Sequence, residues 1–437
     1  MISKSIQSCR EAIYRDLQQC RRGTFKLFTD IDYDTFCRQA HPDFSPVGWH
    51  LGHIAYTEDL WLLQRCAGLE PVFPQYHQLF AADILPKKQR VFLPTLPEVE
   101  LYLDAVRKKV LDYLEVAPID KQERLWRFII QHESQHCETV AFVLQMHKKK
   151  EEKRGKKEEG RGKKEEGRRK KEEGILMPNA QFQMPHAPCP IPNSAIEIPA
   201  GEFYMGNHAA EALDNERSRH LCYLEAYSID RYPVTCRQYR DFMESGGYQN
   251  PDWWSADGWK WLQGEAVYQP LYWSENPAFN NHPVCGVSWY EAEAYCNFIG
   301  KRLPSEAEWE KAASWDATNQ TYRIYPWGEE PPNGSLCNHG NNIANTSPVD
   351  AFPKGASAIG CCDMLGNVWE WTASTFDAYP GFESYPYRGY SQVYFDGEHR
   401  VLKGGSWATF PQALRSSFRN WYYPGVRQIL AGFRCAR

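Results

Sequence analysis

Apolar residues in the first third of the chain recur at intervals of three and four, the spacing that places them on one side of an α-helix. Four stretches show this pattern: residues 12–17, 49–63, 99–110 and 125–146. Ser45 and Pro46 precede the second stretch and are a typical helix start, because serine caps free amides and proline fits the first turn. Four such helices predict a four-helix bundle over residues 1–147.

The next segment has a different composition. Residues 148–174 contain only Lys, Glu, Arg and Gly, and Lys-Lys-Glu-Glu-Gly recurs at Lys156, Lys163 and Lys170. A seven-residue period also occurs in coiled coils, but this segment has no apolar positions to form a seam. We therefore predict a charged, solvated linker with transient helix over residues 148–178. Its lysines also suit an acidic partner.

After the linker, the apolar pattern becomes short and irregular. Residues 196–205 and 400–402 show β-like runs, residues 289–299 show a helical one, and Gly, Pro and Asn separate them. The pattern predicts an irregular α+β domain over residues 179–437. Because the chain also has 16 Trp and 25 Tyr, we expect this domain to form a wall or lid of a small-molecule site.

Charge and composition exclude several classes of function. The 50 basic and 55 acidic residues give a net charge of −5, so no basic field is present to attract nucleic acid. No apolar run is long enough for a membrane span and residues 1–20 are polar, so we expect a cytoplasmic protein. The 14 cysteines are scattered without paired C-x-x-C spacing, and we interpret most as buried small side chains. Composition sets no oligomeric state.

Histidines concentrate in two of the predicted helices. His132 and His136 are four residues apart, so they lie on one side of a helix and suit chelation of one metal. With Glu133 they have the spacing of a zinc-protease motif, although the surrounding pattern predicts a different fold. His50 or His53 on the second helix would complete the set in the bundle core. Zinc and iron both suit three imidazoles, and ordinary buried or surface histidines are the alternative.

Motifs in both halves resemble the ergothioneine sulfoxide synthase family over nearly the whole chain apart from the linker. In the first half they are residues 45–53 (SPVGWHLGH) and 132–136 (HESQH). In the second half they are residues 198–203 (IPAGEF), 302–310 (RLPSEAEWE), 366–371 (GNVWEW), 404–407 (GGSW) and 432–434 (GFR). The first domain resembles that family's DinB-like bundle. The C-terminal domain resembles the formylglycine-generating-enzyme (sulfatase-modifying factor) fold, which is C-type-lectin-like.

The resemblance implies a metal and a reaction. It implies Fe(II) held by His53, His132 and His136, with His50 either in a structural role or in contact with one of these ligands. The implied enzyme is a non-heme iron, O2-dependent oxidoreductase of ergothioneine biosynthesis. It would join the sulfur of cysteine or γ-glutamylcysteine to the imidazole of trimethylhistidine (hercynine) as a sulfoxide. A bound metal would lower the pKa of the thiol.

Further site residues are also carried over from the family. Gln135 matches a residue that contacts the histidine-derived substrate. Asn420 and Trp421 lie in an Arg-Asn-Trp segment that would surround the trimethylammonium group, the aromatic face through cation–π attraction. The family uses a tyrosine of the second domain as proton or hydrogen donor, and Tyr387 is the best positional match, with Tyr390 as its neighbour.

Two positions depart from the family pattern. Tyr422 and Val426 stand where the family has an acidic residue and an arginine that hold the ionic groups of γ-glutamylcysteine. The choice of thiol therefore stays open. Arg90, which follows Lys87 and Lys88, is a candidate for binding a substrate carboxylate as a charge-assisted pair. A solvated basic cluster is the alternative.

Other functions compete with this hypothesis. A formylglycine-generating enzyme resembles the second domain, but it needs a cysteine pair just after the Gly-Gly-Ser motif, and here no cysteine lies between Ser406 and Cys435. A non-catalytic ligand-binding module would also fit, because fold does not fix function. An ovothiol-type synthase acting on histidine, or an enzyme with a selenium donor, would use the same scaffold. Asn367 and Glu370 further suggest a structural Ca2+ site.

Overall fold

The first domain is helical, as the apolar spacing predicts. The computed structural model describes residues 2–172 and 194–437 of the chain. The helices of the first domain are α1 (Ile2–Lys26), α2 (Tyr33–Cys37), α3 (Val47–Glu58), α4 (His77–Phe80), α5 (Leu96–Val116) and α6 (Ile119–Glu172). The four long ones pack together, since α6 contacts α1 and α3, and α5 contacts α3 and α1. The four-helix bundle is therefore confirmed.

Helix α3 begins close to the predicted position but for a different reason. Its first residue is Val47, and Pro46 occupies the cap position without a side-chain hydrogen bond. The Ser45 hydroxyl does not cap the helix and instead accepts a hydrogen bond from Arg90 Nη1 at 3.0 Å. The capping role predicted for Ser45 is therefore wrong, because the helix begins one residue later than that role requires and Pro46 occupies the cap position. A π-helical segment, residues 59–66, continues α3.

A buried ionic cluster crosses the centre of the bundle. Arg21 of α1 donates to Glu133 of α6 and to Glu58 of α3, both at 2.8 Å. Arg107 of α5 donates to the other oxygens of these carboxylates, at 3.0 Å to Glu58 and 2.7 Å to Glu133. Two positive and two negative charges are thus mutually satisfied, and each of the four long helices contributes one. This cluster, which we name the ionic quartet, fixes the rotation of α6 beside the candidate metal ligands.

Helix α6 extends into the charged segment predicted to be a linker. It ends at Glu172, and its side chains form ordinary surface pairs near the start of that segment, such as Lys149 with Glu152 at 3.5 Å. Alternating Lys and Glu at spacings of three and four stabilises a helix without any apolar partner. The predicted end of the linker at residue 178 lies outside the described residues, and the domain boundaries stay predictions.

The second domain has short strands and helices. Its helices are α7 (Cys236–Glu244), α8 (Ala256–Glu265), α9 (Trp289–Phe298) and α10 (Glu306–Ser314). Its strands are β1 (Ala195–Ile198), β2 (Gly201–Met205), β3 (His220–Leu224), β4 (Tyr227–Asp230), β5 (Trp315–Asp316), β6 (Thr321–Tyr322), β7 (Trp369–Thr375), β8 (Arg400–Lys403), β9 (Asn420–Tyr422) and β10 (Ala431–Gly432). The predicted α+β class is confirmed, and the predicted run at 196–205 is divided into β1 and β2.

A four-stranded sheet positions the wall that faces the bundle. Its order is β10-β7-β8-β9, with β10 parallel to β7 and the other neighbours antiparallel. β1 pairs with β4, β2 with β3 and β5 with β6, each antiparallel. Trp309 of α10 and Trp371 of β7 are fully buried, so these motif tryptophans anchor the core. β9 ends this sheet and carries Asn420, Trp421 and Tyr422.

Polar side chains join the two domains along α6. Glu138 Oε1 accepts hydrogen bonds at 2.7 Å from Trp369 Nε1 and from Thr409 Oγ1. Two turns earlier on the helix, Gln131 Oε1 accepts from Arg415 Nη2 at 2.7 Å. Helix α6 is therefore both a bundle helix and one side of the domain interface. In the described part of the chain, no helix combines the length and the apolar character needed to cross a membrane.

Candidate active site

Three histidines from two helices meet at the inner side of the bundle. His53 lies on α3, and His132 and His136 lie one turn apart on α6. One ring nitrogen from each comes within 4.8 Å of the others. The ring centres of His132 and His136 are 4.4 Å apart, and that of His53 is 5.1 and 4.8 Å from them. The helical spacing predicts this proximity on α6, and the packing of α3 against α6 adds the third imidazole.

These imidazoles are in the form that binds a metal. Burial lowers the pKa of His53 to about 4 and holds the pKa values of His132 and His136 well below the ordinary value. All three are therefore neutral near pH 7, and a neutral imidazole offers a lone pair. His53 Nδ1 donates a hydrogen bond to the carbonyl oxygen of Phe80 at 2.6 Å. The lone pair of Nε2 is therefore the one available to bind a metal. A backbone bond of this kind orients a metal-binding imidazole.

His50 lies beside the three histidines and contacts one of them. Its Nδ1 is 2.8 Å from Nδ1 of His136, and burial lowers its pKa to about 3. This contact leaves Nε2 of His136 for a metal. The structure thus places His50 as a neighbour that orients His136.

The histidines open into a cavity of about 500 Å3 between the bundle and the second domain. A cavity of this size accommodates two amino-acid-sized molecules. All nine site residues that the sequence predicts line it: His53, Arg90, His132, Gln135, His136, Tyr387, Asn420, Trp421 and Tyr422. Residues from distant parts of the sequence are therefore brought together by the domain interface.

Gln135 and Tyr390 form a contact across the domain interface. Gln135 Nε2 lies 2.9 Å from the Tyr390 hydroxyl, which is also 3.0 Å from Gln135 Oε1. The Tyr390 ring packs edge-on against Phe128 of α6 with ring centres 5.0 Å apart. Burial raises the pKa of Tyr390 well above the ordinary value, so its phenol is protonated at neutral pH. Tyr390 is thus held by the residue that precedes the candidate ligand His136.

Tyr387 lies further out on the cavity wall. Its side chain is 42% exposed, and its ring stacks on Trp61 with ring centres 5.7 Å apart. The Tyr390 ring centre is 6.4 Å away. Sequence reasoning favoured Tyr387 by position. The two tyrosines lie three residues apart in a loop, where no periodicity indicates which one turns inward.

Arg90 is buried at the cavity and is not part of a solvated cluster. Its Nε donates to Leu85 O at 2.9 Å, its Nη1 to Ser45 Oγ at 3.0 Å and its Nη2 to Ala82 O at 2.5 Å. The guanidinium lies over the Trp49 ring, 4.1 Å from its centre. Among the described residues, three of its five N–H groups have protein partners, and the guanidinium lines the cavity.

The three β9 residues, two aromatic side chains and one amide, line one wall of the cavity. Trp421 stacks on Phe376 with ring centres 4.2 Å apart and lies edge-on to Tyr390 at 6.0 Å. Asn420 Oδ1 accepts from the Trp421 backbone N–H at 2.9 Å. Tyr422 also lines the cavity, and burial raises its pKa. Rigid, stacked aromatic faces next to an amide suit a quaternary ammonium group.

Glu138 is a cavity residue that sequence reasoning missed. It follows His136 by two positions and lies three after Gln135, and its side chain is buried against Trp369, Ser406 and Thr409. Burial raises its pKa. The spacing of three from Gln135 on α6 was the available signal, because it places both side chains on the side that faces the second domain.

The calcium hypothesis gains no support from the geometry. Both oxygens of Glu370 accept hydrogen bonds from Arg434, at 2.6 and 2.7 Å, and one also accepts from Trp309. Asn367 Oδ1 accepts from the backbone of Ser347 at 2.9 Å. These oxygens already have protein donors, and an arginine occupies the place where a cation would neutralise Glu370.

Known proteins resemble the chain in both domains. The DinB superfamily model matches residues 16–140, and the sulfatase-modifying factor enzyme 1-like domain model matches residues 181–437. The hercynine oxygenase of Mycobacterium tuberculosis is 38% identical over 96% of this chain and 97% of its own length. Those of Mycolicibacterium smegmatis and Mycolicibacterium thermoresistibile are each 36% identical over 98% of this chain, and cover 99% and 95% of their own lengths. The chain therefore belongs to the hercynine oxygenase family, with a DinB-type bundle followed by a sulfatase-modifying-factor domain.

Proposed function

We propose that this protein is a non-heme, Fe(II)-dependent sulfoxide synthase that uses O2 to join a thiol sulfur to the imidazole of hercynine. The observation that carries the proposal is the set of three neutral histidines opening into a cavity lined by both domains. The names of the full-length relatives support hercynine as the substrate and an oxygen-dependent reaction. These names support an oxygen-dependent oxidoreductase. We further propose that the reaction forms a C–S bond.

The donor set fits iron. His53, His132 and His136 supply three nitrogens from one direction, so positions facing the cavity stay open for substrates. Bound Fe(II) would supply the redox chemistry with O2 and would favour the thiolate form of the thiol. The protein contributes orientation: two fixed helices hold the donors, and His50 and the Phe80 carbonyl fix two of the rings.

The hercynine site follows from the residues beside the ligands. Gln135 immediately precedes the proposed ligand His136. Its side-chain amide contacts the Tyr390 hydroxyl, and the same amide can also form a hydrogen bond with the substrate. Trp421 presents a ring fixed by stacking on Phe376, next to Asn420. A trimethylammonium group over such a ring gains roughly 0.5 to 2 kcal/mol. These contacts orient the imidazole of hercynine toward the histidine set.

The thiol site uses the basic wall of the bundle. Two N–H groups of Arg90 have no partner in the described part of the chain and would bind the carboxylate of the thiol substrate, and the Lys87 ammonium lines the same wall. Cysteine and γ-glutamylcysteine both carry this carboxylate. The second carboxylate of γ-glutamylcysteine needs a further cationic side chain. Tyr422 and Val426, which line the cavity near β9, carry no charge and do not supply it.

A tyrosine of the second domain supplies the proton or hydrogen atom that the reaction needs. Tyr390 is buried, protonated and bonded to Gln135, and we assign the role to it, with Tyr387 as the alternative. A positioned acid of this kind contributes roughly 100- to 10,000-fold to a rate. The bond to Gln135 fixes the phenol in the cavity that the three histidines also line.

Formylglycine formation is not favoured. None of the described residues that line the cavity is a cysteine. Cys435 lies in the core, with its sulfur 3.4 Å from that of Cys296, and both are fully buried. The one cysteine after the Gly-Gly-Ser motif is therefore remote from the cavity.

Anaerobic reconstitution tests the proposal. The purified chain is loaded with Fe(II), hercynine and either cysteine or γ-glutamylcysteine are added, O2 is admitted and product masses are recorded. A sulfoxide-linked adduct with one thiol is the expected result, and the preferred thiol follows from the same experiment. His136→Ala serves as the matched control without the metal site. Tightly bound iron without any adduct of hercynine would refute the substrate pair, and histidine and a selenium donor are then the alternatives to assay.

A further inference from the structure

The loop that carries both candidate tyrosines rests on one side of α6. We name residues 385–391 the tyrosine loop. At its start, the Arg124 guanidinium lies over the Tyr385 ring, 3.9 Å from its centre. At its end, Tyr390 contacts Phe128 and Gln135. Its middle, residues 387–389, is exposed. The contacts at the two ends, together with the stacking of Tyr387 on Trp61, therefore hold the loop in position.

Both ends of the tyrosine loop are bonded to one carboxylate. Asp214 Oδ1 accepts from the Ser391 hydroxyl at 2.5 Å, and Oδ2 accepts from the Tyr385 backbone N–H at 3.1 Å. Asp214 is fully buried and lies 171 residues before Tyr385 in the sequence. A single short side chain thus closes the loop at its base, directly after Tyr390.

The carboxylate is itself anchored in the second domain. The next residue, Asn215, donates from Nδ2 to the Ser391 hydroxyl at 2.9 Å. Its carbonyl accepts from Arg419 at 2.8 Å, and Glu306 holds that arginine through Nε at 2.7 Å. Arg419 also lines the cavity. The attachment of the tyrosine loop therefore continues into the core next to the site.

A buried carboxylate is a costly way to hold a loop. Removing such a group from water is unfavourable unless hydrogen bonds replace the lost hydration, and an apolar anchor would avoid that cost. Hydrogen bonds, however, fix direction as well as distance, which apolar contacts do not. Supporting bonds of this kind hold functional side chains in a productive geometry.

We propose that Asp214 is a positioning residue that clamps the tyrosine loop, so that the Tyr390 hydroxyl stays against Gln135 at the metal site. This inference rests on the proposed function for its catalytic consequence. Its structural part, the clamp, stands on the two bonds to Ser391 and Tyr385 alone.

The first test measures the yield of sulfoxide per O2 consumed in wild type, Asp214→Ala and Asp214→Asn. This ratio does not depend on the fraction of folded protein, so a purely structural role would not change it. We expect Asp214→Ala to lower the yield roughly tenfold or more, because small misplacements of a reacting group are costly. In Asp214→Asn, the amide oxygen can still accept a hydrogen bond from the Tyr385 backbone N–H, and the amide nitrogen can donate one to the Ser391 hydroxyl. We therefore expect this variant to give an intermediate yield. Iron content stays at the wild-type level.

The matched control is Asp230→Asn. Asp230 is also buried and bonded, to Lys301 at 2.5 Å, but it does not line the cavity or touch the tyrosine loop. This variant should keep the wild-type yield even where its stability falls. A wild-type yield in Asp214→Ala, or an equal loss in Asp230→Asn, would overturn the positioning role.

Hydrogen exchange tests the clamp without any turnover. Peptides covering residues 385–391 should exchange faster in Asp214→Ala than in wild type, while peptides covering residues 128–138 of α6 keep their protection. Unchanged exchange in the tyrosine loop would refute the clamp. If wild type forms no adduct, the proposed function fails, and the exchange data still decide whether Asp214 holds the loop.

Discussion

The two walls of the cavity are built by different means. The bundle wall presents His53, His132 and His136 from regular helices, with the ionic quartet fixing helix rotation beside them. The second-domain wall presents Tyr390 and Trp421 from a loop and a short strand, held by stacking and by hydrogen bonds to distant residues. The candidate metal ligands thus come from regular helices, whereas the aromatic residues proposed to contact hercynine come from a loop and a short strand.

Removing a metal ligand from the bundle wall should have the largest effect. His132→Ala or His136→Ala leaves two nitrogens, too few to keep iron in place, and turnover should fall to background. Metal analysis after reconstitution and O2 uptake with both substrates measure this. His282→Ala is the control and should keep iron and activity. The His282 ring forms a hydrogen bond with Thr346 at 2.9 Å, and neither residue lines the cavity. Iron retained at wild-type occupancy in both ligand variants would contradict the metal site.

Breaking the ionic quartet should have the next largest effect. Glu58→Gln removes a charge that faces both Arg21 and Arg107 in the bundle interior. Losing one partner of a buried ion pair costs about 3 to 5 kcal/mol, so urea unfolding should show a loss of that size. The partly exposed pair of Glu123 with Arg127, at 3.5 Å, provides the control. Glu123→Gln should cost less than about 1 kcal/mol. Similar losses in both variants would show that the quartet does not organise the bundle wall.

The second-domain wall is tested by its two tyrosines. Tyr390→Phe removes only the hydroxyl that bonds Gln135, and we expect kcat to fall roughly 100-fold while iron binding is unchanged. Tyr387→Phe is the matched control, because its ring stacks on Trp61 and lies nearer to solvent. Its kcat should stay within about threefold of wild type. The reverse order would return the donor role to Tyr387 and would show that the Gln135 bond only positions substrate.

The same contrast explains what the sequence was able to predict. The spacing of His132 and His136, the four bundle helices and the strand at 400–402 follow from periodic patterns, and the structure confirms the bundle and the α+β class. The partner of Gln135 lies 255 residues away, and the partners of Glu138 lie 231 to 271 residues away. Contacts between residues so far apart produce no periodic pattern of apolar and polar positions in the local sequence. Motif resemblance located the tyrosine loop but did not decide which tyrosine turns inward.

The smallest effect that we predict is a loss of folding stability at acid pH, which arises where the second domain contacts helix α6. Glu216 is buried and bonds Arg415 Nε at 2.7 Å, and Arg415 in turn bonds Gln131 of α6. Burial alone would raise the pKa of Glu216, but the charge and hydrogen bonds of Arg415 lower it below its ordinary value. A depressed folded-state pKa adds stability above the unfolded pKa of about 4.5, and that stability is lost as the pH falls through the folded value.

Wild type should therefore lose stability as the pH falls from about 5.5 to about 3, and Glu216→Gln, which cannot titrate, should lose less over the same interval. The variant is less stable at neutral pH because Arg415 keeps its charge without its carboxylate partner. Urea midpoints at the two pH values measure both effects, and Glu123→Gln controls for a surface carboxylate. Equal acid dependence in wild type and Glu216→Gln would mean that other carboxylates govern it. The Glu216 and Arg415 pair would then link α6 to the second domain through packing and not through charge.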